Sequence, residues 1–208
     1  MANMVSNCMA VYGDRNELEK LLSIIAESRS KGEGAINQVD LTFKLAGFTE
    51  AEMDGLSLPA SYYTDVDEEI STGKYGVTYF KVWYESKWSP AIDAWDRLLS
   101  RFFPKLKQVT ACEECGNEIY INTDSEGYFF EWRYYVDGSV GNHYTNEMES
   151  PYVETKEQAL ALINEMCGKA GCRTFGTIAE ALDFFGDEGN NPFPDNDFFL
   201  GVHEYSDR

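Results

Sequence analysis

The amino-acid sequence predicts an α+β fold, because strand-like and helix-like patterns alternate along the first half of the chain. Apolar residues recur with helical spacing in two segments, and aromatic and β-branched residues concentrate in several others. Glycine or proline separates these segments. The predicted order is strand, helix, strand, strand, helix, strand, which is typical of a ferredoxin-like sandwich with two helices on one face of a sheet.

The first three elements follow from short patterns near the amino terminus. Residues 5–12 predict a strand, and Asp14 is placed to cap a helix, with Glu17 at the capping-box position. The apolar residues between positions 18 and 25 share one helical face. Apolar residues then alternate with polar ones over 39–45, which predicts a half-buried second strand.

The second half of this pattern follows a less regular stretch. Residues 47–75 contain glycines, a proline and an acidic run, and we interpret them as an insertion with one short helix. Residues 77–84 predict a strand, and Ser89-Pro90 is a favourable start for the second helix. Pro104 ends that helix, and residues 106–111 predict the next strand.

The carboxyl-terminal part predicts further strands and two helices. Residues 118–122 and 128–136 are expected to form a β-hairpin around the turn at 123–127. Capping boxes at Thr155 and Thr177 predict two helices. We therefore expect a core of residues 1–115, with its insertion at about 47–75. Residues 116–208 would be an acidic hairpin, two helices and an aromatic-rich tail packed on that core.

The charge is distributed unevenly along the chain. Residues 1–111 carry 16 acidic and 12 basic side chains, whereas residues 112–208 carry 20 acidic and 5 basic ones, so the net charges are −4 and −15. The hydrophobic content of 43% and the aromatic content of 14% are too high for a disordered acidic tail. A folded region with this much like charge destabilises itself, which favours a strongly cationic partner. Nucleic acid and anionic membranes are disfavoured as direct partners.

Two further features bear on location. The sequence has no run of 18 apolar residues and does not begin with the basic and apolar segments of a secretory signal. Its five cysteines are an odd number. We therefore expect reduced thiols and a cytoplasmic protein of a host cell.

Two motifs could hold a metal ion. Cys112 and Cys115, together with Cys167 and Cys172, could form a four-thiolate zinc site, although the spacing of the second pair favours free thiols. Residues 122–127 are similar to the start of a calcium loop, but the twelfth position is arginine. We expect no cofactor, with zinc as the alternative.

The sequence contains no recognisable catalytic motif. His143 and His203, the two histidines, lie outside any metal-binding pair or nucleophile motif, and no glycine-rich phosphate loop is present. With 36 acidic residues, carboxylate pairs occur by chance. We therefore expect a protein that is not an enzyme.

The aromatic run between residues 128 and 135 has two interpretations. Alternate residues would face a core, and the other face of the strand could form a protein interface in which aromatic residues anchor and charge steers. The alternative is that the closing helices cover that second face.

Several short motifs resemble those of the Api/YubB-like proteins of phages and plasmids. They are the opening Met-Ala-Asn with Asn7 and Gly13, Lys87-Trp88-Ser89-Pro90, the Leu98-Leu99 pair, Phe103-Pro104-x-Leu106 and Glu113-Glu114-x-Gly116. Met4 and the pair of cysteines at 112 and 115 depart from the family pattern. The resemblance covers about residues 1–135. It implies a ferredoxin-like domain and a mobile-element origin, and it supplies no catalytic residues.

Charge and resemblance together predict an acidic inhibitor that mimics DNA. Its partner would be a basic, nucleic-acid-binding surface of a host defence protein, such as a CRISPR effector or a restriction enzyme. The alternatives are a zinc-binding or enzymatic domain of unknown reaction, and an acidic protein whose charge serves solubility alone. The candidate contacts are Glu113, Glu114, Glu118, Asp124, Glu126, Glu147, Glu149, Glu154, Asp187, Glu188, Asp195 and Asp197.

Overall fold

The structure is a computed structural model that describes residues 3–31, 37–56, 58–148, 150–193 and 195–207, with Glu188 described in its main chain only. It confirms the α+β class, with antiparallel sheets and helices. The chain divides into two compact units. The first unit contains residues 1–129 with 207–208, and the second contains residues 130–206. No described helix has both the length and the apolar character that crossing a membrane requires.

The first unit is built on a sheet of six strands. The strands are β1 (Met4–Gly13), β2 (Ser61–Val66), β3 (Ser71–Thr72), β4 (Thr78–Lys87), β5 (Leu106–Glu114) and β6 (Ile119–Asn122). They lie in the order β2-β4-β1-β5-β6, β3 also pairs with β4, and every pairing is antiparallel.

Four helices belong to the first unit: α1 (Arg15–Lys31), α2 (Gln38–Ala46), α3 (Glu50–Asp54) and α4 (Ile92–Phe102). Their apolar faces pack on one face of the sheet, where Met9 of β1 and Val82 of β4 are fully buried. Trp95 of α4 is also fully buried, and its ring meets Phe43 of α2 edge-on with 5.3 Å between ring centroids. The apolar residues whose spacing predicted α1 and α4 therefore do face the core.

The predicted strand at 39–45 is wrong, because these residues form α2. The buried residues of this helix are Val39, Thr42 and Phe43, which are three and four positions apart, as on one face of a helix. The left-handed conformation of Gly47, with φ of 119°, then ends the helix, and its N–H donates to the carbonyls of Phe43 and Lys44. The longer of the two strands between α1 and β4 is β2, which lies inside the stretch interpreted as an insertion.

The second unit is built on a smaller sheet and two helices. Its strands are β7 (Tyr134–Val140), β8 (His143–Tyr144), β9 (Tyr152–Val153) and β10 (Phe198–Glu204), in the order β10-β7-β8, with β9 also pairing with β7. The helices α5 (Lys156–Lys169) and α6 (Ile178–Gly186) begin at the predicted caps. The hydroxyls of Thr155 and Thr177 accept N–H bonds of 3.2 and 3.1 Å from Gln158 and Glu180.

The predicted hairpin of residues 118–136 is wrong. Its first strand is β6, which pairs with β5, and its second segment enters β7, which belongs to the other sheet. Ile119 and Ile121 pack beside Val5, Ile92 and Cys112, so burial of this small apolar cluster holds β6 to the first sheet. The division between the two compact units falls after residue 129.

Candidate interaction surface

The second sheet has one face that α5 and α6 do not cover. Tyr134, Val136 and Val140 of β7 belong to the apolar core that contains both helices. Because successive side chains of a strand point to opposite faces, Tyr135, Asp137 and Ser139 point away from that core. By the register, residues 199, 201 and 203 of β10 share this second face.

A row of aromatic rings crosses this face. Tyr135 is paired in register with Tyr152 of β9 on one side and His203 of β10 on the other. The ring centroids of Tyr135 and Tyr152 lie 5.1 Å apart, and the His203 imidazole is stacked at 6.0 Å from Tyr135. Trp132 extends the row, at 5.8 Å from Tyr152. These distances are typical of favourable ring contacts, so the row is a preformed apolar platform.

A second row places two carboxylates around one tyrosine. Tyr144 of β8 lies opposite Ser139, which in turn lies opposite Phe199 of β10. The Tyr144 hydroxyl donates to Asp197 at 3.0 Å, and its main-chain N–H points to the Glu147 carboxylate at 3.5 Å. The hydrogen bond to Asp197, with its negative charge, raises the pKa of Tyr144 above its ordinary value. Glu147 and Asp197 thus contact the same tyrosine, one at its main chain and the other at its hydroxyl.

Between the two rows lie Gly201 and Asp137, which are paired in register. A Cβ atom at Gly201 would lie 2.8 Å from Nε2 of His203, so the absence of a side chain leaves room for the imidazole. Asp137 is exposed, and Phe199 leaves 41% of its surface exposed. We call this set the outer surface; its members are Tyr135, Asp137, Tyr144, Glu147, Tyr152, Asp197, Phe199, Gly201 and His203.

Three basic residues of the second unit form ion pairs with carboxylates that are not members of the outer surface. Lys156, Lys169 and Arg173 form ion pairs with Glu204, Glu165 and Glu180, at 3.6, 2.9 and 2.8 Å. Arg133 donates to the main-chain carbonyls of residues 130 and 132.

Among the described residues of the second unit, no ion pair involves Asp137, Glu147 or Asp197. Aromatic rings beside such carboxylates can receive a lysine or arginine, through cation–π contact and charge-assisted hydrogen bonds.

The other predicted contacts of the second unit are Glu149, Glu154, Asp187, Glu188 and Asp195. Glu154 and Asp195 are exposed. Asp187 is exposed and accepts the N–H of Gly189 at 2.9 Å, just beyond the end of α6. Glu149 and the side chain of Glu188 lie outside the described part of the chain.

The first-unit candidates lie on β5 (Glu113 and Glu114), just before β6 (Glu118) and just after it (Asp124 and Glu126). Asp124 is 3% exposed, and its carboxylate accepts the N–H of Phe129 at 2.6 Å. Glu114 is half-buried, and its carboxylate accepts the N–H groups of the short 3₁₀ turn that follows β5. Glu113 is half-buried, whereas Glu118 and Glu126 are exposed. Two of the five candidate carboxylates therefore stabilise local structure.

Residues 123–129 form a strap across the face of the first sheet that points away from the helices. Phe129 lies 5.2 Å from the ring of Tyr12 and 5.1 Å from that of Tyr79. The Lys81 ammonium donates to the carbonyl of Phe129 at 3.3 Å. Burial, together with the nearby charge of Asp124, raises the pKa of Tyr12. The strap thus fills a place where a ligand could otherwise contact the aromatic residues of that sheet.

The cysteines differ in their surroundings. Cys112 and Cys167 are buried, Cys172 is half-buried and Cys115 is exposed. Burial raises the pKa of Cys112 and of Cys167 to about 12, which disfavours the thiolate that zinc requires. Within the described ranges, no group of three or more His, Cys, Asp or Glu side chains is placed to hold a metal ion.

Sequence reasoning named two residues of the outer surface as partner contacts, Glu147 and Asp197, but it missed most of the rest. Tyr144, Tyr152 and Phe199 were not singled out, and His203 was treated as an isolated histidine. The period-two pattern of residues 198–204 indicates a strand and places Phe199 and His203 on one face, but it does not indicate Tyr144 or Tyr152.

In comparisons with family models, with curated proteins and with solved structures, nothing matches this chain. The resemblance to the Api/YubB-like proteins therefore stays a prediction, and the function must be argued from the geometry.

Proposed function

We propose that this chain is a non-enzymatic, acidic interaction protein that binds a basic surface of another protein through the outer surface. The observation that carries the proposal is that two features occur together on the outer surface. An aromatic platform lies beside Asp137, Glu147 and Asp197, and within the described second unit no ion pair neutralises these carboxylates. Interfaces commonly anchor on aromatic residues while charge steers the approach of the partner.

The charge of the second unit supports a cationic partner. Residues 130–206 contain 14 acidic and 4 basic side chains, a net charge of −10, whereas the larger first unit has a net charge of −9. Attraction between surfaces of opposite charge can raise association rates to about 10⁸ M⁻¹s⁻¹ at low salt. A rapid encounter of this kind suits an inhibitor that must bind before a competing nucleic acid does.

We further propose that the basic surface belongs to a nucleic-acid-binding defence protein of a host cell, such as a CRISPR effector or a restriction enzyme, and that the chain comes from a phage or another mobile element. The support for this target is chemical: channels for nucleic acid are lined with lysine and arginine, which an aromatic and acidic surface complements. The candidate carboxylates lie in both units, so the proposal rests on the outer surface rather than on a single anionic face of the whole chain.

For the first unit we propose a ferredoxin-like fold. The strand order β2-β4-β1-β5, with α1 to α3 between β1 and β2 and α4 between β4 and β5, supports this assignment. In such a fold the split βαβ units place each new strand beside an antiparallel neighbour. On this proposal, β3, β6 and the strap are additions to the basic arrangement.

The experiment measures DNA cleavage by a panel of CRISPR effectors and restriction enzymes in the presence of the chain. We expect inhibition of at least one enzyme, and the inhibition should weaken as salt screens the charges. The double variant Asp137→Asn/Asp197→Asn should lose inhibition. The control Glu157→Gln/Asp183→Asn removes the same amount of charge from exposed residues of α5 and α6, and it should retain inhibition.

The control also separates the proposal from its alternatives. If both double variants lose inhibition equally, net charge acts alone and the outer surface has no special role. If no enzyme of the panel is inhibited at low salt, the proposed target class is wrong. Zinc found at one equivalent per chain by elemental analysis, and retained after dialysis against a weak chelator, would favour the zinc-binding alternative.

A further inference from the structure

The outer edge of β10 presents main-chain groups that have no hydrogen-bond partner within the described part of the chain. The N–H of Tyr205 donates to the carbonyl of Arg133 at 2.9 Å, which fixes the side of the strand that bonds to the preceding strand. Along an antiparallel strand, successive residues direct their main-chain polar groups alternately to the two sides. Residues 199, 201 and 203 therefore bond to β7, whereas Phe198, Leu200, Val202 and Glu204 direct their N–H and C=O groups outward. In the described part of the chain, β7 is the sole strand that pairs with β10 in the sheet order.

The other sheet edges are protected in ways that β10 is not. The edge strand β2 changes register between Tyr63 and Asp65, and β6 has only four residues. In the second sheet β8 and β9 have two residues each. By contrast, β10 has seven residues in unbroken register and contains neither proline nor lysine. Long, regular, apolar edges of this kind are the ones to which another strand adds.

We propose that β10 pairs with β10 of a second copy of this chain, in antiparallel orientation about a two-fold axis at Gly201. This register pairs all seven residues. Leu200 lies opposite Val202 of the other copy, Phe199 lies opposite His203, and Phe198 lies opposite Glu204. The pairing is self-complementary, as a two-fold interface requires, and it places no like charges directly opposite each other.

Each copy has a net charge of −19, so the two copies repel each other, but dissolved salt screens this repulsion. At physiological ionic strength, charges separated by more than about 8 Å are largely screened. Raising the salt concentration should therefore strengthen the dimer, whereas it should weaken binding to a cationic partner. This opposite dependence makes the inference independent of the proposed function.

The first test is the oligomeric state by sedimentation velocity, over a range of protein and salt concentrations. We expect a monomer–dimer equilibrium that shifts toward the dimer as salt rises. The variant Val202→Pro removes one outward N–H and leaves the bonds to β7 intact, so it should be monomeric. The control Val202→Ala keeps that N–H and should still form the dimer. A wild-type chain that is monomeric under all of these conditions would overturn the proposal.

A second test does not depend on the folding of the proline variant. In a Cys115→Ser background, the double variant Phe199→Cys/His203→Cys should form a disulfide-linked dimer, because these positions face each other between copies. Within one chain the two positions are four residues apart along an extended strand, roughly 13 Å, which is too far for a disulfide. The single variant Phe199→Cys is the control and should remain uncrosslinked. Equal crosslinking of both variants would contradict the register.

Discussion

The two units differ in how they treat the face of the sheet that their helices leave open. In the first unit the strap places Phe129 between Tyr12 and Tyr79 and buries the carboxylate of Asp124. In the second unit the corresponding face carries the aromatic row and keeps Asp137 and Phe199 exposed. The net charges of the units are nearly equal, at −9 and −10. The charge along the sequence therefore does not distinguish these two faces, whereas the residues that cover each face do.

The largest expected effect is on the free energy of unfolding. Two alanine variants compare a buried aromatic residue of the first unit with an aromatic residue of the outer surface. Replacing the fully buried Trp95 by alanine should lower the free energy of unfolding of the first unit by about 3–5 kcal/mol, because it leaves a cavity against Phe43 and Tyr84. Tyr135→Ala on the outer surface should cost about 1 kcal/mol, since its ring is half-buried. Urea denaturation followed by circular dichroism measures both. Equal losses would mean that the outer surface is itself part of a core.

A smaller effect tests the strap. Asp124→Ala removes the acceptor of the Phe129 N–H, and leaving that partly buried group without its partner should cost about 1 kcal/mol. The same change should make residues 123–129 more accessible to limited proteolysis. The neighbouring variant Glu126→Ala, at an exposed position, should change stability by less than about 0.5 kcal/mol. If Asp124→Ala is equally mild, the strap does not depend on its buried carboxylate.

The third prediction concerns the free energy of unfolding at alkaline pH. No change is expected at neutral pH. Burial raises the pKa of Cys8 and Cys112 in the first unit, and of Cys167 in the second, from 9.0 to about 12. Each thiol stays neutral in the folded state while the unfolded chain ionises, so its contribution to stability is complete below pH 9 and is lost as the pH rises to about 12.

Unfolding free energies measured from pH 8 to pH 11 should therefore fall with pH. The variant Cys112→Ala should show a shallower fall, and Cys115→Ala, at the exposed position, should match the unmodified chain. If removing the Cys112 thiol leaves the slope unchanged, other groups dominate the titration. The buried hydroxyls of Tyr63 and Tyr84, whose pKa values burial also raises, are the first such groups to replace by phenylalanine.

Residue patterns and helix caps predicted the elements whose local sequence has one interpretation. The helices α1, α4, α5 and α6 and the strands β1, β4 and β5 all have counterparts in the sequence analysis, and the threonine caps of α5 and α6 were identified by residue. The segment at 39–45 was assigned wrongly because its apolar residues alternate and are also three and four positions apart. Its packing against α1 and the glycine cap decide in favour of the helix.

The main error of the sequence analysis was in which strands pair with each other. The outer surface depends on those pairings. A hairpin between β6 and β7 was predicted around the turn at 123–127, but β6 is held by the apolar cluster around Val5 and Cys112. The partner of β7 is β10, which follows it only after two helices. No local pattern specifies a pairing over this separation. The meeting of Tyr144, Asp197 and His203 on one face was therefore beyond prediction from the sequence, although Glu147 and Asp197 were named individually.

The late position of β10 has a consequence for how the molecule is made. The first sheet is complete once Asn122 has been synthesised, so this unit has all of its strands early and can fold while translation continues. In the second sheet, β7 cannot pair with β10 until the ribosome has added α5, α6 and residues 198–204. Until then one edge of β7 has no partner strand. During that interval the nascent chain exposes an aggregation-prone strand edge, so this is when shielding by a chaperone would matter most.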